Sequence, residues 1–273
     1  MYTEFKSSTS WLLFLDTPVT TTVEIRASDD SLLTIPVATQ LSQTSTHTPV
    51  APPTSMTLLR KCGVSPNPES VCHYQGYTYV GCDRCVDRIS EDGRVHKAFL
   101  TIYGYASGLT VHKHILYVLV GKPGIHFWVQ KHELSGKLIS SWGTSISYVY
   151  YNKLNIVSDK VIIPDPSKNQ LVVFSLTGDL LKQIRCDLCT GNSVALSAAG
   201  DNSVVMAVEK NDIVFRINID NENVLWTSNY VVEPATVTWF KNRYTLVMKS
   251  KNNKDKRICI LDIDTGLQHV CVS

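Results

Sequence analysis

The chain has 273 residues, 44% of them hydrophobic and 18% charged, with a net charge of +2. That composition suits a folded, water-soluble chain with ample core and excludes the low-hydrophobicity, high-charge class of disordered proteins. No run of about 18 apolar residues exists, so no membrane-spanning helix is expected. Residues 11–15 are too short and too late for the core of a secretory signal, which makes the cytoplasm the expected compartment.

In chain order, the first segments read as short strands. Residues 11–16 and 21–26 are apolar or alternating, residues 28–31 form a turn, and residues 32–35 follow as an outer strand. Residues 1–5 are the only candidate for an inner strand ahead of them. Residues 1–40 are therefore expected to form a degenerate first blade, one strand short if residues 1–5 do not pair. Residues 41–68 are rich in Ser, Thr and Pro and cannot bury enough apolar surface to fold alone. They are expected to be a mobile insertion.

From residue 69 onward a unit recurs. Leu134-Ser135-Gly136-Lys137-Leu138, Leu176-Thr177-Gly178-Asp179-Leu180 and Ile263-Asp264-Thr265-Gly266-Leu267 mark it, with weaker copies around Gly93 and Glu222. The turn positions 93, 136, 178, 222 and 266 are 43, 42, 44 and 44 residues apart. A fixed period of this length indicates a solenoid or a propeller. Each turn is preceded by β-branched and aromatic runs of strand period and followed by another short strand, with no helical stripe of ten or more residues. Four short antiparallel strands per unit form a propeller blade. The predicted fold is thus all-β: a β-propeller of about six four-stranded blades, the first degenerate, with residues 69–273 supplying five blades that close one ring with residues 1–40. Trp142, Phe174, Phe215, Trp226 and Ile260 recur at equivalent points and are expected between blades.

Eight cysteines include two C-x-x-C pairs, Cys82/Cys85 and Cys186/Cys189. Four thiolates can hold zinc, but these pairs lie about two and a half blades apart in the propeller register. Reduced thiols and no metal are the expectation. His112 and His114 precede a strand at a turn and read as solvated rather than ligating. No G-x-S-x-G, H-E-x-x-H, phosphate-loop or G-x-G-x-x-G pattern occurs, so no enzyme activity and no cofactor are expected. A propeller enzyme with an axial site would draw on residues near His73, His112, Asn155 or Ser197.

One face leans basic and the other acidic. Turns between second and third strands carry Arg84, Lys122, Lys168, Lys210, Lys249, Lys251, Lys254, Lys256 and Arg257. Turns between third and fourth strands carry Asp29, Asp30, Glu91, Asp92, Glu133, Asp179, Asp220, Glu222 and Asp264. Asp83, Asp165, Asp212 and Asp255 stand among the first set of turns, and Arg94, Lys137 and Lys182 beside the second. Such segregation steers charged partners. The basic face is the predicted partner-binding surface, with a protein partner expected. RNA is the alternative, weakened by the scarcity of aromatics in those loops.

The stretch Val173-Phe174-Ser175-Leu176-Thr177-Gly178-Asp179-Leu180-Leu181-Lys182 resembles the blade of NHL-type propellers, and residues 130–139 fit the same register. Residues 215–226 and 258–266 are similar to propeller domains of tripartite-motif-like proteins. The resemblance spans about residues 71–270 and implies a recognition module for protein or RNA. No RING, B-box or coiled coil precedes it here, so ubiquitin-ligase activity is not implied. Residues 220–226 also resemble one blade turn of quinoprotein-like propellers; a single copy implies no quinone cofactor.

Overall fold

A computed structural model describes residues 20–26, 32–38, 61–122, 126–147, 153–190, 194–231, 233–240, 244–249 and 258–272. Every regular element among them is a strand, apart from one turn of 3-10 helix at Glu209–Asn211. β1 (Thr20–Arg26) pairs antiparallel with β2 (Leu32–Ala38). Its other neighbour is β3 (Lys61–Cys62), which runs parallel to it. Residues 1–16 lie outside the described residues.

The next sheet contains β4 (Ser70–Tyr74), β5 (Tyr77–Ser90), β6 (Val95–His112), β7 (Ile115–Gly121), β8 (His126–Glu133) and β9 (Leu138–Ser147), in that order. It is two units joined. β5 has 14 residues, yet the Arg88 guanidinium lies 4.9 Å over the Tyr77 ring. Eleven extended residues would separate those groups by roughly 35 Å. The strand therefore folds back on itself, around Arg84 at φ 61°, and supplies both the second and third strands of one unit. β6 has 18 residues. Its first part pairs with β5 as an outer strand, and its second part pairs with β7 as the inner strand of the following unit. Gly104 at φ 145°, against the Gly121 carbonyl, marks the corner.

Three four-stranded antiparallel sheets follow, each in sequence order. The first is β10 (Asn155–Val157), β11 (Lys160–Asp165), β12 (Gln170–Ser175) and β13 (Leu180–Arg185). The second is β14 (Val194–Ala198), β15 (Ser203–Val208), β16 (Ile213–Asn218) and β17 (Val224–Ser228). The third is β18 (Pro234–Phe240), β19 (Tyr244–Lys249), β20 (Ile258–Asp262) and β21 (Gln268–Val272). Val, Ile, Leu and Phe fill these strands because branched and aromatic side chains pack well on a pleated surface covered on both sides.

The core lies between consecutive sheets. Val173, Ile184, Met206 and Phe215 meet in one such layer, and Val205, Val214, Trp226 and Leu261 in the next. Of the expected core aromatics, Phe174, Phe215 and Trp226 are buried, as is Ile260. Trp142 is only partly buried, packed against the edge of its layer.

The repeated turn explains the repeated glycine. Gly178 and Gly266 adopt φ of +102° and +69°, and a Cβ on either would come within 2.5 Å of Trp142 and Trp226 respectively. Each turn thus seats on an aromatic of the preceding unit, and a register shift follows in each third-to-fourth strand pair. At Glu222 (φ 64°) the turn has no glycine. There the preceding unit offers Lys182 instead, and the two form an ion pair at 3.2 Å.

The last residues of the Ser/Thr/Pro-rich stretch are pinned to the first of these sheets. The fully buried Asp87 carboxylate accepts from the Ser65 amide at 2.6 Å and from the Ser65 hydroxyl at 2.9 Å. The Asp83 amide donates to the Pro66 carbonyl.

Candidate functional site: an axial cavity beneath a basic rim

The inner strands of five consecutive units converge on one cavity of about 260 Å³, lined from β4, β6, the start of β10, β14 and β18. Polar groups come from Glu69, Ser70, His73, Thr110, Lys153, Asn155, Ser197, Thr236 and Thr238. The remaining wall is aliphatic, from residues such as Val71, Leu109, Leu154 and Leu196.

The two ends of the cavity differ. At one end the turns between first and second strands hold hands around the ring. The Tyr74 hydroxyl meets His114 Nδ1 at 3.0 Å. Asp159 accepts from His112 Nε2 and Lys113 Nζ, each at 2.6 Å, and Ser158 bonds Asn202. These partners hold the Asp159 carboxyl below its ordinary range, first through the Lys113 hydrogen bond. His112 and His114 are therefore staples between units. Of the residues expected for an axial site, His73, Asn155 and Ser197 reach the cavity and His112 does not. Burial lowers the His73 pKa, and its ring nitrogen contacts the Thr78 hydroxyl at 3.1 Å.

The other end lies among the turns between second and third strands. The Glu69 amide bonds the Gly81 carbonyl, two residues before Asp83. Lys153 is 8% exposed, and its ammonium donates to the Glu69 carbonyl oxygen. Desolvation drops its pKa to about 8, against the opposing pull of the Glu69 charge. Desolvation raises Glu69 in turn; Lys153 counters it and Asp83 adds to it.

On this same end stand the described members of the basic set. Arg84 and Lys210 are exposed, and so is Lys168, 3.9 Å from the buried Asp165 carboxylate. Lys122 donates to the Tyr103 hydroxyl at 2.7 Å and lies 4.0 Å over its ring. Tyr103 is 71% exposed, and the Lys122 hydrogen bond lowers its pKa, with Arg84 adding to the effect. Lys249 ends β19; Lys251, Lys254, Lys256 and Arg257 lie outside the described residues.

Sequence reasoning missed Tyr103, Glu69 and Lys153. Tyr103 lies past residues 97–100, the expected outer strand of the unit at residues 69–105. The only available signal at Lys153 was a charged residue directly preceding an inner strand.

The cysteines depart from the expectation of reduced thiols. Cys186 and Cys189 form a disulfide. Cys259, opposite Cys271 in its ladder, is also disulfide-bonded. The three-residue spacing brings the Cys186 and Cys189 sulfurs within bonding reach. Cys72, Cys82 and Cys85 are free and buried, and desolvation pushes all three thiols up. Among the described residues no group of three His, Cys, Asp or Glu is placed to hold a metal ion, and no helix is long and apolar enough to cross a membrane.

Comparison with solved structures decides the fold. The WD40 domain of Neurospora crassa Pan2 matches with a TM-score of 0.57 and 10% identity over 76% of this chain and 65% of that one. A chain of a nidogen/laminin complex matches with a TM-score of 0.61 and 10% identity over 75% and 79%. A Bacteroides caccae protein of unknown function gives 0.56 and 12% over 75% and 81%. The chain is a β-propeller. No family model and no curated protein matches it by sequence. The propeller neighbours do not single out the NHL type.

Proposed function

We propose that this propeller is a non-catalytic recruiting module that engages an acidic protein partner through its basic end. The observation that carries this is the Tyr103, Lys122 and Arg84 cluster. An exposed aromatic flanked by two cations is the composition that dominates interface energetics. The charges around it raise the encounter rate with an acidic surface. A protein is favoured over RNA because one aromatic makes a poor stacking platform, and because Arg84 and Lys168 stand near Asp83 and Asp165.

The test is affinity capture from lysate with and without nuclease, using the wild type and two variants. Arg84→Glu with Lys122→Glu and Tyr103→Ala should weaken a salt-sensitive, nuclease-resistant partner about tenfold. Glu91→Lys with Glu133→Lys, at the opposite end, should leave it unchanged. Equal capture by both variants removes the basic end from the function; loss on nuclease treatment makes the ligand RNA.

A further inference from the structure

We propose that the axial cavity captures small carbonyl compounds, with the Lys153 amine as the reacting group and Glu69 as its acid. The proposal goes beyond partner recruitment and does not depend on it. Three observations meet at one place: a small cavity, a buried amine on its wall, and a half-buried carboxyl whose charge acts on that amine.

Only the unprotonated amine attacks a carbonyl. With a pKa of about 8, roughly one-fifth of Lys153 is free base at pH 7.4, against about one in a thousand for an exposed lysine at its usual value. The advantage is on the order of 200-fold before any proximity effect.

The reaction balances without a redox partner. Nζ adds to the carbonyl carbon, the C=O π bond opens, and a proton moves from nitrogen to oxygen to give the carbinolamine. The Glu69 carboxyl, whose pKa burial raises, relays a proton through water to the departing hydroxyl, which leaves as water. The resulting iminium keeps the positive charge of the protonated lysine; hydrolysis reverses every step.

Size and charge set the ligand class. About 260 Å³ falls below the roughly 300–1,000 Å³ of sites for drug-sized ligands, so the compound is small. Glu69 and Lys153 stand toward the end that carries Arg84, Lys122, Lys168 and Lys210, which favours an anionic aldehyde or ketone. Ser, Thr and Asn groups on the wall offer hydrogen bonds to its oxygens.

The intact wild-type protein tests this directly, with glyoxylate as probe and cyanoborohydride to reduce any imine, followed by peptide mass mapping. Lys153 should be carboxymethylated at least about tenfold faster than exposed Lys97 and Lys137, with a rate that rises through pH 8. Lys153→Arg should lose this fast phase alone. Labelling of Lys153 no faster than Lys97 overturns the proposal, and that outcome needs no variant to fold. Partner capture by the basic end is read separately and is untouched by either result.

Discussion

At Lys153 burial and charge oppose each other, and the sign is measurable. The folded pKa of about 8 lies below that of the unfolded chain, near 10.4. Between those values the unfolded state holds a proton that the folded state has released. The contribution of Lys153 to stability therefore rises with pH across that window, by about 1.4 kcal/mol per unit, and is lost as pH falls toward 8. Lys153→Met should be more favourable relative to wild type at pH 7.5 than at pH 10. The difference between the two proteins must be measured by denaturant unfolding, since the raised Tyr79, Tyr117, Cys72 and Cys82 pull the other way in both. A gap that does not change with pH sinks the assignment of a depressed amine. None of this was legible in the sequence. A lysine's desolvation depends on five inner strands closing around it, which local pattern does not encode. His112 and His114, in contrast, were correctly placed at a turn; only the partner, Asp159 of the next unit, was hidden.

At the level of elements, the glycine turn was the clearest signal and the structure shows what it is for. The period exposed Gly136, Gly178 and Gly266, and the flanking apolar runs exposed the strands. The fit of each turn onto an aromatic of the unit before it was not visible, because the two lie about 36 to 40 residues apart in sequence. Gly178→Ala and Gly266→Ala should each destabilise by roughly 1–3 kcal/mol, through a left-handed backbone and a Cβ driven into an indole ring. Gly143→Ala is the control: a Cβ there meets nothing within 4 Å. Equal unfolding midpoints for all three would show that the turns do not seat on Trp142 and Trp226. Trp226 is further fixed by its indole nitrogen, which donates to the Ile263 carbonyl at 2.6 Å. Arg216 reaches the same carbonyl at 2.8 Å.

For the whole molecule, the four-stranded unit was legible and its borders were not. β5 and β6 each keep strand pairing through a place where the chain turns, at Arg84 and at Gly104. The reversal at Asp83-Arg84 was expected as a turn and is one, with Arg84 at φ 61°, yet strand pairing runs on through it. The basic end was legible in charge alone. Its aromatic, Tyr103, comes from the corner of β6, and it joins Lys122 only because β6 and β7 pair there, Tyr105 opposite Gly121. The disulfides were invisible for a related reason: spacing identifies candidate thiols, while bonding requires the fold to bring sulfurs together.

The continuity of β6 also ties two blades into one cooperative unit. Elsewhere a loop joins the outer strand of one sheet to the inner strand of the next, so a sheet can open while its neighbour stays closed. Residues Val95–His112 leave no such slack: fraying on the β5 side releases the strand that holds β7. Native-state hydrogen exchange under rising denaturant should therefore show β5 and β8 merging into a single opening transition before either joins β12 or β16. Separate transitions for β5 and β8 would mean that the corner at Gly104 acts as a hinge.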